Sequence, residues 1–338
     1  MPEMATLRKA SGDLSLRLFA FVVCIIILSP VMAVGLIGYM FKLLAVSRPR
    51  GVAGTAYEPF TARVLMHELG TRRDDAGASL LPHLTLTPSW IWLAIARPVR
   101  LAGALSGYTP RMFSYPPSPP ASLMSIMGVR TEFFDRTLHD ALERVSQVVI
   151  LGAGWDTRAY GLPAGTDVKV YEVDAPATQR EKVAALAAAE IDASHVTFTA
   201  VDFEETFWLD ALVENGFDRS AATFVLWEGV TMYLSESTVD ATLKAVARLG
   251  AGSAIAFDYF PREWLTTGTG LYGLLGKYAK LAIKLIYGEA FVNPGLPGER
   301  NALQEILAAR GLVLTDFDHV AARGKYVLYG FALAEARV

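Results

Sequence analysis

The chain has 338 residues, which is enough for one α/β domain of ordinary size together with extensions. Its 31 basic and 34 acidic residues nearly balance, and this excludes the strongly basic surface with which proteins wrap nucleic acid. Apolar residues make up 52% of the chain and charged residues 19%, so the composition directs attention to membrane segments.

An uncharged apolar run extends from Leu18 to Met40 within the predicted anchor, residues 1–50. A helix of this length spans about 35 Å, so the run predicts a single-pass transmembrane helix in which Pro30 is tolerated. It is too long for a cleaved signal peptide, and a hairpin-like or interfacial insertion is the alternative. Basic residues flank both ends, so charge gives no orientation. The only cysteine, Cys24, lies inside the run, which excludes an intrachain disulfide.

Residues 51–146 are predicted to form a helical lid or cap region. Helical spacing of apolar residues recurs over residues 57–70, 87–105 and 122–145. Four prolines in the sequence YPPSPP, residues 115–120, exclude a regular helix between the second and third of these segments. The apolar stretch around Trp90 is interpreted either as a core helix or as a surface that contacts lipid or a greasy substrate.

From residue 147 to residue 338, short β-rich runs alternate with helical stretches, which predicts a parallel sheet with crossover helices. Too few residues separate the last two strands for a crossover, so these should pair antiparallel. Five parallel strands that close with an antiparallel pair are the usual layout of class I methyltransferases, so the pattern predicts a Rossmann-like α/β fold of that kind, with a cap insertion at about residues 262–297. The predicted strands are QVVIL, VKVYEV, HVTFTA, TFVLWE, SAIAFDY, LVLTDFD and KYVLYGFALA.

A glycine turn, Gly152-Ala153-Gly154, follows the first predicted strand. The carboxyl edge of a parallel sheet opens a ligand crevice at such a turn, and glycine allows a cofactor to approach the backbone. Asp174 ends the second strand 20 residues after the second glycine, where a carboxylate accepts hydrogen bonds from ribose hydroxyls. Together these residues indicate a nucleotide site, although the glycines alone fit a tight turn without a ligand.

Asp202 and Phe203 follow the third predicted strand and are placed to meet an adenine edge. Asp202 also fits the role of N-cap for a helix in the following sequence EETFWLDAL, and the two roles do not exclude each other. Thr157 stands where the dinucleotide fingerprint requires a third glycine or an alanine, which argues against a nicotinamide cofactor.

The segments VVILGAGWDTRAYGL, VYEVDAPATQREK and FVLWEGVTMYL resemble the leucine carboxyl methyltransferase-like family, which includes many bacterial members of unassigned substrate. The resemblance covers roughly residues 128–259 and implies a class I fold with S-adenosylmethionine as cofactor. It also implies the residues that contact the cofactor. These are Arg130 at the methionine carboxylate, Gly152, Ala153 and Gly154 in the turn, Asp174 at the ribose, Asp202 and Phe203 beside the adenine, and Glu228 after the fourth strand.

The residues themselves leave some of these roles open. Arg130 equally fits a surface ion pair with Glu132 or Asp135. Glu228 and Tyr233 are the candidate catalytic residues, and we identify no metal site. A carboxylate acceptor needs no general base, whereas a hydroxyl acceptor would.

The expected function is O-methylation of a carboxylate or hydroxyl on a small or lipophilic acceptor, with the catalytic domain in the cytoplasm, where the cofactor is made. A nicotinamide-dependent oxidoreductase and a non-catalytic, membrane-tethered nucleotide-binding scaffold are the rival interpretations. An apolar stretch with lysines at 277, 280 and 284 near helical spacing predicts either a cap helix over the active site or a helix on an anionic membrane.

Overall fold

The computed structural model describes residues 2–119, 121–322 and 326–337. At its centre is a seven-stranded sheet of order β3-β2-β1-β4-β5-β7-β6. The strands are β1 Gln147–Leu151, β2 Lys169–Asp174, β3 Val196–Ala200, β4 Thr223–Trp227, β5 Ala254–Tyr259, β6 Leu312–Ala322 and β7 Tyr326–Ala336.

The first five strands are parallel, and β7 is antiparallel to both β5 and β6. This confirms the predicted sheet and its antiparallel final pair. β6 is longer than the predicted run LVLTDFD because its pairing with β7 continues to Ala322 across two register shifts. The first residue of the last predicted strand, Lys325, lies outside the described residues.

Helices cover both faces of the sheet, and the central strands β1, β4 and β5 are therefore buried on both sides. In β1, Val149 and Leu151 belong to one apolar cluster, while Val148 and Ile150 belong to another. The described helices are α1 Pro2–Lys42, α2 Tyr57–Glu68, α3 Asp75–Leu80, α4 Ser89–Ser106, α5 Ile126–Ala141, α6 Pro176–Ala188, α7 Trp208–Glu214, α8 Glu236–Val246, α9 Gly270–Tyr287 and α10 Arg300–Ala308.

The connection after β1 contains a single 3₁₀ turn, Arg158–Gly161, before β2 begins. The short spacing between the first two predicted strands left room for little more. The turn matters for ligand choice, because a dinucleotide fold places a pyrophosphate at the N-terminus of the α-helix that follows its glycine loop. Within the described residues, no α-helix occupies that position.

The N-terminal helices form a layer of their own. α1 is continuous through Pro30 and passes into a π-helical turn, Leu43–Ser47. α4 lies beside α1 and runs in the opposite direction, since Gly38 of α1 lies against Trp90 and Gly107 lies beside Arg17. α1 and α4 therefore form a close helix pair along the side of the domain.

The region between β5 and α10, where the sequence analysis placed a cap insertion, is largely helical. A π-helical turn, Glu263–Thr267, leads into α9, whose N-terminal half packs through Gly273 and Gly276. A Cβ at Gly276 would lie 2.0 Å from the carbonyl oxygen of Trp264, so this close contact requires glycine.

Candidate functional site

A cavity of about 470 Å³ opens at the carboxyl ends of the central strands, a volume within the range of small-molecule sites. One wall, the polar wall, consists of Arg63, Arg130, Gly152, Gly154, Asp156, Asp174 and Glu228. The other, the apolar wall, consists of Leu123, Ile126, Met127, Phe260, Trp264, Ala279, Ile283 and Phe291.

The glycine turn is held closely in the polar wall. Gly152 and Gly154 have φ angles of 64° and 41°, in the region that favours glycine. A Cβ at Gly152 would lie 2.3 Å from Cγ2 of Val230. The backbone N–H of Gly152 donates to the carbonyl of Val173 at 2.8 Å, which fixes the turn to β2. Position 152 of the turn therefore has no room for a side chain.

Asp174 connects the turn to the end of β2. Its Oδ2 accepts a hydrogen bond from the backbone N–H of Gly154, and its Oδ1 accepts one from Ala175 at 2.6 Å. Burial raises the pKa of the Asp174 carboxyl above its ordinary value, although these two hydrogen bonds oppose the shift. Each carboxylate oxygen keeps a free lone pair, so Asp174 can still accept hydrogen bonds from a ligand.

Phe203 lines the cavity, whereas Asp202 beside it is exposed and is not among the lining residues. The alternative N-cap role of Asp202 is wrong, because α7 begins only at Trp208. Instead, the Asp202 carboxylate accepts a hydrogen bond from the backbone N–H of Glu204 at 3.0 Å and closes a turn. Of the two residues predicted to lie beside the adenine, only Phe203 therefore lines the cavity.

Glu228 follows β4 and lies among three arginines. Its Oε1 is 2.7 Å from Nε of Arg130, and its Oε2 is 2.6 Å from Nη1 of Arg158. Nη1 of Arg63 lies 3.3 Å from Oε1. Burial alone would raise the pKa of the Glu228 carboxyl, but Arg158, Arg130 and Arg63 outweigh it and hold the pKa far below its ordinary value. Glu228 is therefore ionised and a weak proton acceptor.

Arg130 does not form the surface ion pair that was the alternative prediction. It is buried, and besides Glu228 its Nε lies 3.2 Å from Oδ2 of Asp258. The alternative partners point elsewhere, since Glu132 pairs with Arg136 and Asp135 pairs with Arg72 and Arg158. Asp258 lies beneath the cavity, where Tyr329 and the backbone N–H of Gly229 donate to its carboxylate.

Arg63 is a residue of this site that was not predicted from the sequence. This residue is 2% exposed, and among the described residues its Nε has no hydrogen-bond partner. A buried donor without a partner is costly, so the site has unused capacity for an anion. The available signal was an arginine within a helix whose remaining positions are mostly apolar, because such a residue requires a buried counter-charge.

Tyr233 and Glu289 also line the cavity. Burial raises the pKa of the Tyr233 hydroxyl above its ordinary value, so this hydroxyl stays protonated. The Glu289 carboxylate accepts hydrogen bonds from the backbone N–H groups of Gly54 at 2.7 Å and Thr55 at 3.2 Å, and from the Thr55 hydroxyl. No sequence motif indicated Glu289, because its partners lie more than 230 residues away along the chain.

Residues 111–247 match the model of the family described as leucine carboxyl methyltransferase. A relative from Mycolicibacterium smegmatis, named "Putative S-adenosyl-L-methionine-dependent methyltransferase", is 35% identical over 196 residues, which cover 56% of this chain and 62% of the relative. A relative of the same name from Mycobacterium marinum is 33% identical over 206 residues, covering 60% of this chain and 65% of the relative. The match spans less than two thirds of either relative, and over this part it confirms the predicted resemblance.

Among solved structures, the crystal structure of "a putative methyltransferase" from Thermobifida fusca YX aligns with a TM-score of 0.46 and 15% identity. The alignment covers 79% of this chain and 96% of that one. At this level of likeness no argument rests on the comparison, and the fold assignment rests on the strand order and direction of this chain.

Proposed function

We propose that the chain is an S-adenosylmethionine-dependent methyltransferase. The observation that carries this proposal is the polar wall, in which a glycine turn, a carboxylate at the end of β2 and two buried arginines line one cavity. The names of the relatives and the family match point to the same activity.

The chemistry of these side chains fits this cofactor. The guanidiniums of Arg63 and Arg130 suit the carboxylate of its methionine part, and the unpartnered Nε–H of Arg63 offers a donor. Asp174 suits the ribose hydroxyls, and Phe203 suits the flat adenine ring. When bound, S-adenosylmethionine supplies a methyl group attached to a positively charged sulfur.

The protein's own contribution is mainly alignment. Direct attack of an acceptor on a methyl group requires proximity and an in-line approach, which together can supply about 7–11 kcal/mol of the barrier. The apolar wall excludes water around the acceptor, and the polar wall holds the cofactor in one orientation. For a carboxylate acceptor, no side chain has to remove a proton.

The acceptor in this proposal is a carboxylate or hydroxyl on a small or lipophilic molecule, and the apolar wall supports a molecule with a hydrocarbon part. Tyr233 is proposed to orient the acceptor through its protonated hydroxyl. Glu228 was also a candidate catalytic residue, but its ionisation and its three arginine partners favour a positioning role for it.

Membrane attachment through α1 is part of the proposal. Among the described residues, one helical stretch, Asp13–Arg50, is long and apolar enough to cross a bilayer. Only 6% of its most apolar 18-residue segment is buried within the protein, so most of the apolar surface of this segment lacks protein cover. The single-pass topology and the cytoplasmic catalytic domain remain predictions from the sequence.

The two rival functions have weaker support. A nicotinamide dinucleotide would need a helix N-terminus for its pyrophosphate, and the chain after the glycine turn forms only the 3₁₀ turn Arg158–Gly161. A scaffold without catalysis has no need for a buried arginine cluster at a cavity that also has an apolar wall. Both would nevertheless share the sheet, so binding has to be measured.

Calorimetric titration of the purified full chain with S-adenosylmethionine, S-adenosylhomocysteine and NAD tests the proposal. We expect S-adenosylmethionine and S-adenosylhomocysteine to bind. Asp174→Asn should lower the affinity for both roughly ten- to hundredfold, because hydrogen bonds to a charged group are lost. Asp202→Asn, at an exposed acid on the same edge, and Tyr233→Phe, at the acceptor position, should change affinity less than twofold. Binding of NAD alone, or of none of the three, would contradict the proposal.

A further inference from the structure

One face of α1 is attached to the domain over the whole apolar run. Side chains spaced along this face pack against the N-terminal core beneath: Phe21, Ile25, Met32, Tyr39 and Met40. The contacts with α4 likewise extend from Arg17 beside Gly107 to Gly38 beside Trp90. Thus α1 lies along the side of the domain instead of projecting away from it.

The opposite face of α1 is apolar and exposed. Phe19, Ile26, Ile27, Val34, Ile37 and Phe41 are each between 59% and 70% exposed. They extend over about 33 Å of helix. An exposed apolar surface of this size marks a contact with a partner or a membrane.

A helix attached in this way cannot cross a bilayer without carrying charged side chains into the hydrocarbon. Arg97 of α4 lies in the same groove as Leu28 and Val31, which are near the middle of the apolar run. Arg97 is exposed, and Arg100 one turn further is paired with Glu68 of α2. A charged arginine at the bilayer centre is expensive, so a perpendicular crossing conflicts with the observed packing.

In place of the single-pass topology predicted from the sequence, we infer that α1 lies in the plane of the membrane, with its exposed face in one leaflet and its inner face on the domain. This arrangement needs no separation of α1 from α4. It also explains why α1 is apolar on both faces: the inner face is covered by protein and the outer face is covered by lipid. The inference rests on the membrane attachment proposed above and is independent of methyl transfer.

A second exposed apolar face adjoins the end of α1. On α9, Leu271, Leu274, Tyr278 and Leu285 are each between 49% and 72% exposed, whereas Ala279 and Ile283 line the cavity. Nη1 of Arg48 donates to the carbonyl of Leu285 at 3.1 Å and links the two helices. α9 therefore separates the cavity from the surface that we assign to the membrane.

Positive charge identifies the kind of membrane. Lys277, Lys280 and Lys284 form a stripe beside the apolar face of α9, and Arg48 and Arg50 follow α1 at the same junction. Lysine and arginine beside an interfacial apolar face are attracted to anionic headgroups. The occupant of both faces is accordingly a bilayer that contains anionic lipid, and a lipid-like acceptor would reach the cavity past α9.

Cysteine labelling in intact cells tests the orientation of α1. In the full chain carrying Cys24→Ser, the single substitutions Asp13→Cys and Arg50→Cys mark the two ends of the apolar helical stretch Asp13–Arg50, and Glu305→Cys on α10 marks the catalytic domain. With a membrane-impermeant maleimide, all three should stay unlabelled in intact cells and all three should react once the cells are permeabilised. Reaction of the Asp13→Cys and Arg50→Cys proteins from opposite sides would overturn the inference and establish a span.

Vesicle binding tests α9. Replacing Lys277, Lys280 and Lys284 with Gln should weaken binding of the full chain to vesicles containing phosphatidylglycerol by roughly fivefold per lysine, and leave binding to pure phosphatidylcholine unchanged. Lys169→Gln, an exposed lysine at the start of β2, is the matched control. Equal binding by both variants would overturn the assignment of α9.

Two controls complete the test. In the Cys24→Ser chain, oxidation of Leu274→Cys should give no disulfide-linked dimer, and a dimer would mean that a second copy covers this face. Calorimetry with S-adenosylhomocysteine on each variant shows whether the fold is intact. It also separates a failure of this inference from a failure of the proposed reaction.

Discussion

The two walls of the cavity differ in how they are held together. The polar wall is fixed by ion pairs and backbone hydrogen bonds at the ends of β1, β2 and β4, and its ion pairs form a network in which Glu228 contacts three guanidiniums. The apolar wall comes from α5, α9 and the residues around Phe260, where aromatic side chains pack on one another. A buried ion-pair network tolerates few substitutions, because the loss of one partner leaves another charge unpaired. Packed apolar side chains can readjust around a substitution.

The largest expected effect is at the centre of the charge network. Glu228→Ala removes the carboxylate shared by Arg63, Arg130 and Arg158, and should lower the free energy of unfolding by about 3–5 kcal/mol, because the buried Arg63 loses the carboxylate that it pairs with and the other two arginines each lose one of theirs. Urea unfolding of the purified chain measures this loss. Ile283→Ala in the apolar wall is the comparison variant, and it should lower the free energy of unfolding by clearly less. An equal loss in both variants would remove the distinction between the walls.

A smaller effect is expected at the glycine turn. In Gly152→Ala, the new Cβ would lie 2.3 Å from Val230 at a φ of 64°, so the free energy of unfolding should fall by about 1–3 kcal/mol. Gly161→Ala is the matched control, since a Cβ there meets nothing within 4 Å. Thermal unfolding of both variants provides the measurement, and a stable Gly152→Ala protein would show that the turn is looser than its contacts indicate.

The smallest effect concerns pH. Arginine contacts, which outweigh burial, hold the folded-state pKa of Glu228 below its unfolded value of about 4.3, so this carboxyl stabilises the fold above that pH. The stabilisation is lost as the pH falls through the unfolded value toward the folded one. The loss in free energy of unfolding caused by Glu228→Gln should therefore be about 1–2 kcal/mol larger at pH 6 than near pH 3. A difference that does not change with pH in urea unfolding would contradict this ionisation.

The sequence predicted the sheet well because its signals are local. Each of the first five strands is a short β-rich run, and the glycine turn and Asp174 stand at the ends of two of them. Parallel strands bring their carboxyl ends to one edge, so the topology alone joins these residues into a site. The resemblance added Arg130 and Glu228, which the structure brings within 2.7 Å of each other.

Contacts between distant segments were beyond the sequence analysis. The place of Arg63 in the site depends on a contact between α2 and the end of β4, because Arg63 pairs with Glu228, 165 residues later in the chain. Neither segment has a sequence pattern that predicts this contact. Similarly, the apolar run of α1 indicates only that lipid or protein must cover it. The orientation of this helix depends on its packing with α4, which no periodicity reveals.

Glu289 has one further consequence. It joins the end of α9 to Gly54 and Thr55, and Ala56 next in the chain packs over the glycine turn, where its Cβ would be 3.1 Å from a Cβ on Gly154. α9 therefore cannot move away from the acceptor side without releasing backbone groups on the cofactor side. In the proposed reaction, the position of α9 on the acceptor side is therefore tied through Glu289 to the backbone that covers the glycine turn on the cofactor side.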